Sequence, residues 1–162
     1  MHDATAPDAP PPAAGPDSAW RAHLLERDAD VRALLGRVRR IAVLGIKTAE
    51  GGQPAYYVPA YAQRAGYEIV PVPVYFPDVT EILGQPVYRR VADVPGGVDL
   101  VNVFRRPVDI PAHVDDILEA RPRAVWFQQG IRHAEAAERF ARAGIDVVQD
   151  RCLLVELGAV GR

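Results

Sequence analysis

Short apolar runs alternate along the chain with segments in which apolar residues recur every three or four positions. The runs predict strands at about 41–44, 67–73, 99–104, 124–128 and 145–149. The periodic segments predict helices at about 55–66, 108–120 and 134–143. Strands that alternate with helices are joined by right-handed crossovers. The pattern therefore predicts an α/β fold with a doubly wound, mainly parallel five-stranded sheet and helices on both faces.

The amino-terminal part of the chain divides into two segments. Residues 4–17 are rich in Ala and Pro and have almost nothing to bury, which predicts a disordered tail over 1–17 and one folded domain over 18–162. Residues 18–37 show a helical pattern with an apolar stripe, and Asp28 or Asp30 is the expected cap of a second helix.

The second predicted strand and the segment at 78–88 have a weaker apolar pattern. Pro71 and Pro73 make the second strand look exposed or edge-like, because proline cannot donate to a sheet ladder. Residues 78–83 predict a short turn of helix, and residues 84–88 a bend with a brief extended segment.

Composition and charge argue against several classes of function. The chain has 162 residues and a net charge of −2, which gives no sign of a nucleic-acid or membrane-surface partner. No apolar run approaches the ~20 residues of a membrane span, and the first residues lack the basic flank and apolar centre of a secretory signal. Cys152 is the only cysteine, which excludes an intramolecular disulfide and fits a reducing cytoplasm.

The first strand ends in a small loop that contains Gly45, Ile46, Lys47 and Thr48. Open α/β sheets bind ligands at the carboxyl ends of their strands. Free N–H groups in such a loop, together with the lysine, favour an anion-binding site. The alternative is an ordinary connection in which the glycines only serve the turn.

Two more strand ends contribute polar residues to the same edge. Phe104, Arg105 and Arg106 follow the third strand, and paired guanidinium groups suit phosphate oxygens. Gln128, Gln129 and Gly130 follow the fourth strand, where the glycine permits close approach of the backbone. A solvated turn before a proline-started helix is the alternative for the arginines.

An NAD(P) site is the obvious ligand for such a sheet, and two features oppose it. The loop reads Gly45-Ile46-Lys47, without the second glycine that admits a pyrophosphate in dinucleotide sites. The second strand ends Val72-Pro73-Val74-Tyr75, without the acid that holds the ribose hydroxyls.

Several motifs taken together resemble a known family. They are VNVFRRP at 101–107, VWFQQGIR at 125–132 and VQDRC at 148–152, with shorter matches around Gly45, Gly66 and Gly84. In this order they resemble the small CoA-binding domain proteins, which are similar to the Rossmann-like domain at the amino terminus of the succinyl-CoA synthetase α subunit. The resemblance covers about 31–156.

The resemblance implies that coenzyme A lies across the strand ends. It implies that the loop after the first strand faces the pyrophosphate, the end of the second strand lies near the adenosine, and the third and fourth strand ends line the phosphate and pantetheine path. The expected CoA contacts are Gly45, Ile46, Lys47, Thr48, Tyr57, Val72, Pro73, Val74, Tyr75, Phe104, Arg105, Arg106, Gln128, Gln129 and Gly130. Two positions depart from the family: Val72 stands where Asn precedes Pro, and Gln53 where a basic residue is frequent.

No catalytic constellation is evident. His133, at a helix start near the same edge, is the one histidine to test as an acid or base, whereas His113 is expected on a helix surface. Cys152 is expected to fill apolar space, or to react with a thiol of the ligand. Asp150 and Arg151 are expected to form a local ion pair. No Cys and His spacing indicates a metal site.

The sequence therefore predicts a cytoplasmic protein that binds CoA or an acyl-CoA as a carrier, sensor or accessory subunit. An NAD(P)-linked redox enzyme or sensor is the first alternative, and an interaction module without a ligand is the second. A protein partner or a second copy of the chain stays open.

Overall fold

The computed structural model describes residues 15–162. Five parallel strands form the main sheet in the order β2-β1-β5-β6-β7, and a two-stranded antiparallel sheet is formed by β3 and β4. The strands are β1 (Arg40–Leu44), β2 (Glu68–Val72), β3 (Glu81–Ile82), β4 (Gln85–Pro86), β5 (Leu100–Val103), β6 (Ala124–Phe127) and β7 (Asp146–Val148). The α-helices are α1 (Asp28–Leu35), α2 (Pro54–Arg64), α3 (Val114–Ala120), α4 (Ala134–Arg142) and α5 (Leu153–Ala159), and the 3₁₀ helices are η1 (Pro16–His23), η2 (Val91–Asp93) and η3 (Pro107–His113).

Both faces of the main sheet are covered, as the continuous apolar runs of the central strands require. On one face α1, α2 and α5 pack against the sheet through Val31, Leu34, Leu35, Val58, Ala62, Leu153 and Leu157. On the other face η2, α3 and α4 pack through Val91, Val114, Ile117, Ala136, Ala137 and Phe140. The predicted doubly wound, Rossmann-like α/β fold is confirmed.

The two outer strands have their free edges covered by other segments. The backbone N–H of Tyr88 donates to the carbonyl of Pro71 on β2 (3.0 Å), and that of Leu25 donates to Val147 on β7 (2.8 Å). Unpaired edges are templates for unwanted strand pairing, so these bonds protect the sheet. The prediction of an edge position for β2 is confirmed, but the expectation of exposure is wrong because four of its residues are buried.

The amino-terminal segment differs from the prediction at both ends. Most of the predicted tail lies outside the described residues, and η1 already begins at Pro16. Neither Asp28 nor Asp30 caps α1. The N-cap position is held by Arg27, whose side chain donates to Asp30 (3.0 Å), so that the aspartate is engaged in the first turn instead.

Two other local predictions are corrected. Residues 78–83 do not form a helical turn, because β3 and β4 make a hairpin whose connecting residues, Leu83 and Gly84, both have positive φ. The predicted helix over 108–120 is a 3₁₀ helix followed by α3. Pro111 has no N–H for an α-helical bond, which accounts for the tighter first part.

Candidate binding site at the carboxyl edge of the sheet

The loops that follow β1, β5 and β6 border an open hollow of about 410 Å³. These strands are neighbours and parallel, so their carboxyl ends meet at one edge of the sheet. The lining residues are Lys47, Gln53, Pro54, Ala55, Phe104, Arg105, Arg106, Pro107, Gln128, Gln129, Gly130 and Ile131. The structure thus brings together the lysine, both arginines and the glutamines that the sequence singled out.

Gly45 makes room for the neighbouring loop. Its φ is +85°, and a Cβ atom there would lie 2.3 Å from the carbonyl oxygen of Phe104 and 3.2 Å from Cδ of Arg105. The space over this glycine is filled by protein atoms, whereas the glycine was expected to face a pyrophosphate. Ile46, the next residue, is buried and belongs to the core.

Two backbone N–H groups of the β1 loop are engaged within the fold. The N–H of Gly45 donates to Val72 (2.9 Å) and that of Lys47 donates to Ala55 (3.1 Å). These two groups are therefore not the free anion cradle that the sequence suggested. The positive charge remains, because the Lys47 ammonium group donates to the side chain of Gln53 at the wall of the hollow.

The two adjacent arginines have different environments. The Arg106 side chain is 75% exposed and donates through Nε to Asp109 (2.8 Å), whereas the Arg105 side chain is only 13% exposed. The hydrogen bond from Arg106 holds the pKa of the Asp109 carboxyl below its ordinary value and raises the pKa of Arg106. Arg106 is consequently the arginine whose guanidinium group is open to solvent.

Gln128, which lines the hollow, is paired with a second buried amide, Asn102. The Gln128 Oε1 atom accepts from the backbone N–H of Leu153 (3.3 Å) and from Nδ2 of Asn102 (3.4 Å). A backbone N–H can only donate, so it fixes which end of the Gln128 amide points inward. The amide NH₂ group is then the end that remains for the hollow. Asn102 is fully buried on β5, and its Oδ1 has no hydrogen-bond partner.

Eight expected contact residues do not line the hollow: Gly45, Ile46, Thr48, Tyr57, Val72, Pro73, Val74 and Tyr75. Val72 and Pro73 are buried, so their side chains are directed into the protein, whereas Tyr57 and Val74 are exposed. The hydroxyl group of Tyr75 nevertheless accepts from Arg105 (3.4 Å). Tyr75, which follows β2, is therefore connected to the hollow by its hydrogen bond with Arg105, a lining residue.

The histidines have structural partners. His133 is the N-cap of α4, where its Nδ1 accepts from the N–H of Ala136 (3.0 Å). His113 is not a surface residue of a helix as expected, because its Nε2 accepts from Nε of Arg105 (3.2 Å). Burial, and then the charge of Arg105, lower the pKa of His113 below its ordinary value.

The residues after β7 also differ from expectation. Asp150 and Arg151 do not pair with each other. Asp150 accepts from the N–H of Gly130 (2.7 Å), and Arg151 donates to Asp28 (2.7 Å). The left-handed backbone of Asp150 accompanies this arrangement (φ 56°). Cys152 is half-buried and packs against the core as expected.

Sequence reasoning missed Asp109 and His113, the two residues that hold the arginines. Asp109 stands three residues after Arg106 at the start of a proline-initiated helix, which is a spacing typical of side-chain pairs. That signal was available in the sequence. The contact between His113 and Arg105 depends on how η3 folds back, and no spacing indicates it.

Comparison with known proteins places the chain in a family. Residues 39–158 match the family model described as a CoA binding domain. The chain belongs to the CoA-binding domain family. The protein YneT of Bacillus subtilis (strain 168) is 34% identical over 127 residues, which cover 78% of this chain and 91% of YneT.

Solved structures of similar proteins share the fold. A Thermus thermophilus protein is 38% identical, with a TM-score of 0.76 over 83% of this chain and 99% of that protein. A Pyrococcus horikoshii OT3 protein is 28% identical, with a TM-score of 0.76 over 85% of this chain and 94% of that protein. The aligned part of this chain thus corresponds to nearly the whole length of each of these relatives.

Within residues 15–162, no helix is long and apolar enough to cross a membrane. Over the same range, no group of three or more His, Cys, Asp or Glu side chains is arranged to hold a metal ion.

Proposed function

We propose that this protein binds coenzyme A, free or acylated, in the hollow at the carboxyl ends of β1, β5 and β6. The observation that supports this most is the meeting of Lys47, Arg106 and the Gln128 amide at one hollow in a member of the CoA-binding domain family. We assign the protein a carrier, sensor or accessory role in the cytoplasm.

The phosphate groups are assigned to Lys47 and Arg106. Both side chains line the hollow and come from different loops, so together they offer positive charge on two sides. Gln53, which replaces a residue that is frequently basic in the family, holds the Lys47 ammonium group at the wall. This contact fixes the position of the Lys47 ammonium group but supplies no positive charge of its own.

The pantetheine arm is assigned to the remaining wall. Pro54, Ala55, Phe104, Pro107 and Ile131 provide apolar surface there. Pantetheine combines an apolar chain with amide groups, and the Gln128 NH₂ group would donate to one of its carbonyl oxygens. Such a mixture of apolar surface and few polar groups is typical of small-molecule sites.

The adenosine is assigned to the exposed residues after β2. Val72, which replaces an Asn of the family pattern, is buried and offers no contact. Val74 and Tyr75 follow it and are exposed, so we assign the adenosine contacts to these two residues. No side chain is assigned to acid–base chemistry, since His133 serves as a helix cap.

Calorimetric titration with CoA tests the proposal. We expect binding by the unmodified protein and about tenfold weaker binding by Arg106→Gln, because a charge-assisted contact to phosphate contributes on the order of 1.5 kcal/mol. Arg64→Gln is the matched control. It makes the same charge change in the last turn of α2, at the opposite edge of the sheet, and should leave the affinity unchanged.

Titration with NADH is the companion experiment. Heat with NADH and none with CoA would overturn the proposal in favour of a redox function. Absence of heat with both ligands would favour an interaction module.

A further inference from the structure

Arg105 differs from Arg106 in having each guanidinium nitrogen beside a partner. Its Nε donates to His113 (3.2 Å), one terminal nitrogen donates to the Tyr75 hydroxyl group (3.4 Å), and the other lies 3.8 Å from the Asp109 carboxylate. The side chain is nearly buried. Two of its five N–H donors are used in these hydrogen bonds, and the low exposure of the side chain limits its access to a phosphate group.

The contact between Arg105 and Tyr75 spans a strand. β1 lies between β2 and β5 in the sheet, Tyr75 follows β2, and Arg105 follows β5. The stem of Arg105 passes over Gly45, where only a glycine leaves enough space. Arg105 therefore ties together the two loops on either side of the carboxyl end of β1.

The ring of Tyr75 is held by this contact and is still available. The Arg105 guanidinium carbon lies 5.5 Å from the ring centroid, a cation–π distance, and Tyr75 remains 57% exposed. The loop is held from another side by Arg89, which donates to the carbonyl groups of Tyr75 (3.1 Å), Phe76 (2.9 Å) and Val79 (2.9 Å). The tyrosine is thus an exposed aromatic surface on a loop with a fixed position.

We propose that Arg105 is a positioning residue that holds Tyr75 as a stacking surface for the adenine of CoA, while Lys47 and Arg106 contact the phosphate groups. This inference rests on the proposed function. A purine ring stacks on an aromatic side chain without requiring charge, and a cation on the ring strengthens its fixed orientation. Loss of Arg105 would then weaken recognition of the base and leave recognition of the phosphate intact.

Titrations with CoA and with 4′-phosphopantetheine, which lacks the adenosine together with its 3′-phosphate and one phosphate of the pyrophosphate, separate the two roles when they are combined with the Tyr75→Leu variant. Arg105→Met keeps an unbranched apolar stem without the charge, and Arg106→Met is its matched variant. We expect Arg105→Met to weaken CoA binding about tenfold and to change 4′-phosphopantetheine binding less than about twofold, since base stacking contributes on the order of one decade in affinity. We expect Arg106→Met to weaken both ligands by a similar factor.

Tyr75→Leu gives a second test that leaves Arg105 in place. It should reproduce the loss of CoA binding, and adding Arg105→Met to it should cause little further loss, because both changes remove the same stacking surface. This variant decides the question if Arg105→Met does not fold.

NMR titration of His113 supplies a readout without ligand. Arg105→Met should raise the pKa of His113 toward its ordinary value, since the nearby positive charge is gone. An unchanged pKa would show that the two side chains are not in contact and would overturn the positioning role.

The outcomes also separate this inference from the proposed function. If the unmodified protein binds CoA and Arg105→Met weakens both ligands equally, Arg105 is a phosphate contact and the inference is wrong alone. If the unmodified protein binds neither ligand, the proposed function and the inference both fail.

Discussion

The two edges of the main sheet use positive charge in opposite ways. At the amino edge, the Arg40 guanidinium group donates to the carbonyl groups of Pro95 and Gly97 and lies 3.1 Å from Glu68. At the carboxyl edge, the Arg106 side chain has one carboxylate partner and is largely exposed beside a hollow. Arg40 stabilises the fold at one edge, and Arg106 remains available to a ligand at the other.

Asp99 is a second charged residue at the amino edge that is engaged by the backbone. One of its carboxylate oxygens accepts from the backbone N–H groups of both Arg39 and Arg40, at 2.9 Å each. The charged groups of Arg40 and Asp99 are thus engaged by backbone groups. Substitutions there should lower stability and spare binding, and substitutions of Lys47 or Arg106 should do the reverse.

The largest effect is expected from Gly45→Ala. A Cβ atom would lie 2.3 Å from the Phe104 carbonyl oxygen, and the positive φ adds strain, so we expect a loss of at least about 3 kcal/mol in the free energy of unfolding. Chemical denaturation measures this loss.

Gly52→Ala is the control for that substitution. Gly52 also has a positive φ but no atoms within 4 Å of a Cβ position, so we expect a loss of only about 1 kcal/mol. Equal losses for the two variants would show that the close approach of the β5 loop is not needed.

Asp99→Ala should lower the free energy of unfolding by about 2 kcal/mol, because two backbone donors lose their acceptor. Asp115→Ala, at a 90% exposed side chain, should cost less than about 0.5 kcal/mol. Both variants should bind CoA as the unmodified protein does. Weaker CoA binding by Asp99→Ala with little loss of stability would reverse the roles of the two edges.

Lys47→Met should weaken CoA binding about fivefold, in keeping with one partly exposed charge, and change the free energy of unfolding by less than about 0.5 kcal/mol. Calorimetry and denaturation of the same preparation check both values. An unaltered affinity would exclude the lysine from the site.

The smallest effect concerns pH. The pKa of His113 lies below its ordinary value of 6.5, so the folded state binds fewer protons than the unfolded state as the pH falls through that value. The stability contributed by neutral His113 is present above pH 6.5 and is lost as the pH falls through the folded-state pKa. His113→Gln should flatten this part of the stability profile, and an unchanged profile would exclude the histidine as its source.

The sequence predicts the sheet well because burial on both faces demands continuous apolar strands. β1, β5 and β6 follow that rule, and the crossover rule then orders them. The hairpin of β3 and β4 was missed since each strand has only two residues and its turn depends on the left-handed conformation of Leu83. A strand of two residues is too short to show the alternation of apolar and polar positions that identifies a strand.

The sequence predicts where the site lies, but it predicts the role of each residue in the site less well. Lys47, Arg106 and Gln128 meet at one hollow because strand ends of a parallel sheet share an edge. From the sequence, however, Arg105 and Arg106 have the same predicted role. Only the fold shows that Arg105 is engaged by His113 and Tyr75. Such assignments depend on contacts between distant segments, which local spacing does not encode.

An NMR titration of the ¹⁵N-labelled protein with CoA tests the central claim most directly, because it reports on both edges of the sheet in one experiment. We predict shifts at Lys47, Arg106 and Gly130, which line the hollow, and no shifts at Arg40 and Gly97 at the amino edge. Shifts confined to the amino edge, or none at saturating CoA, would contradict the account.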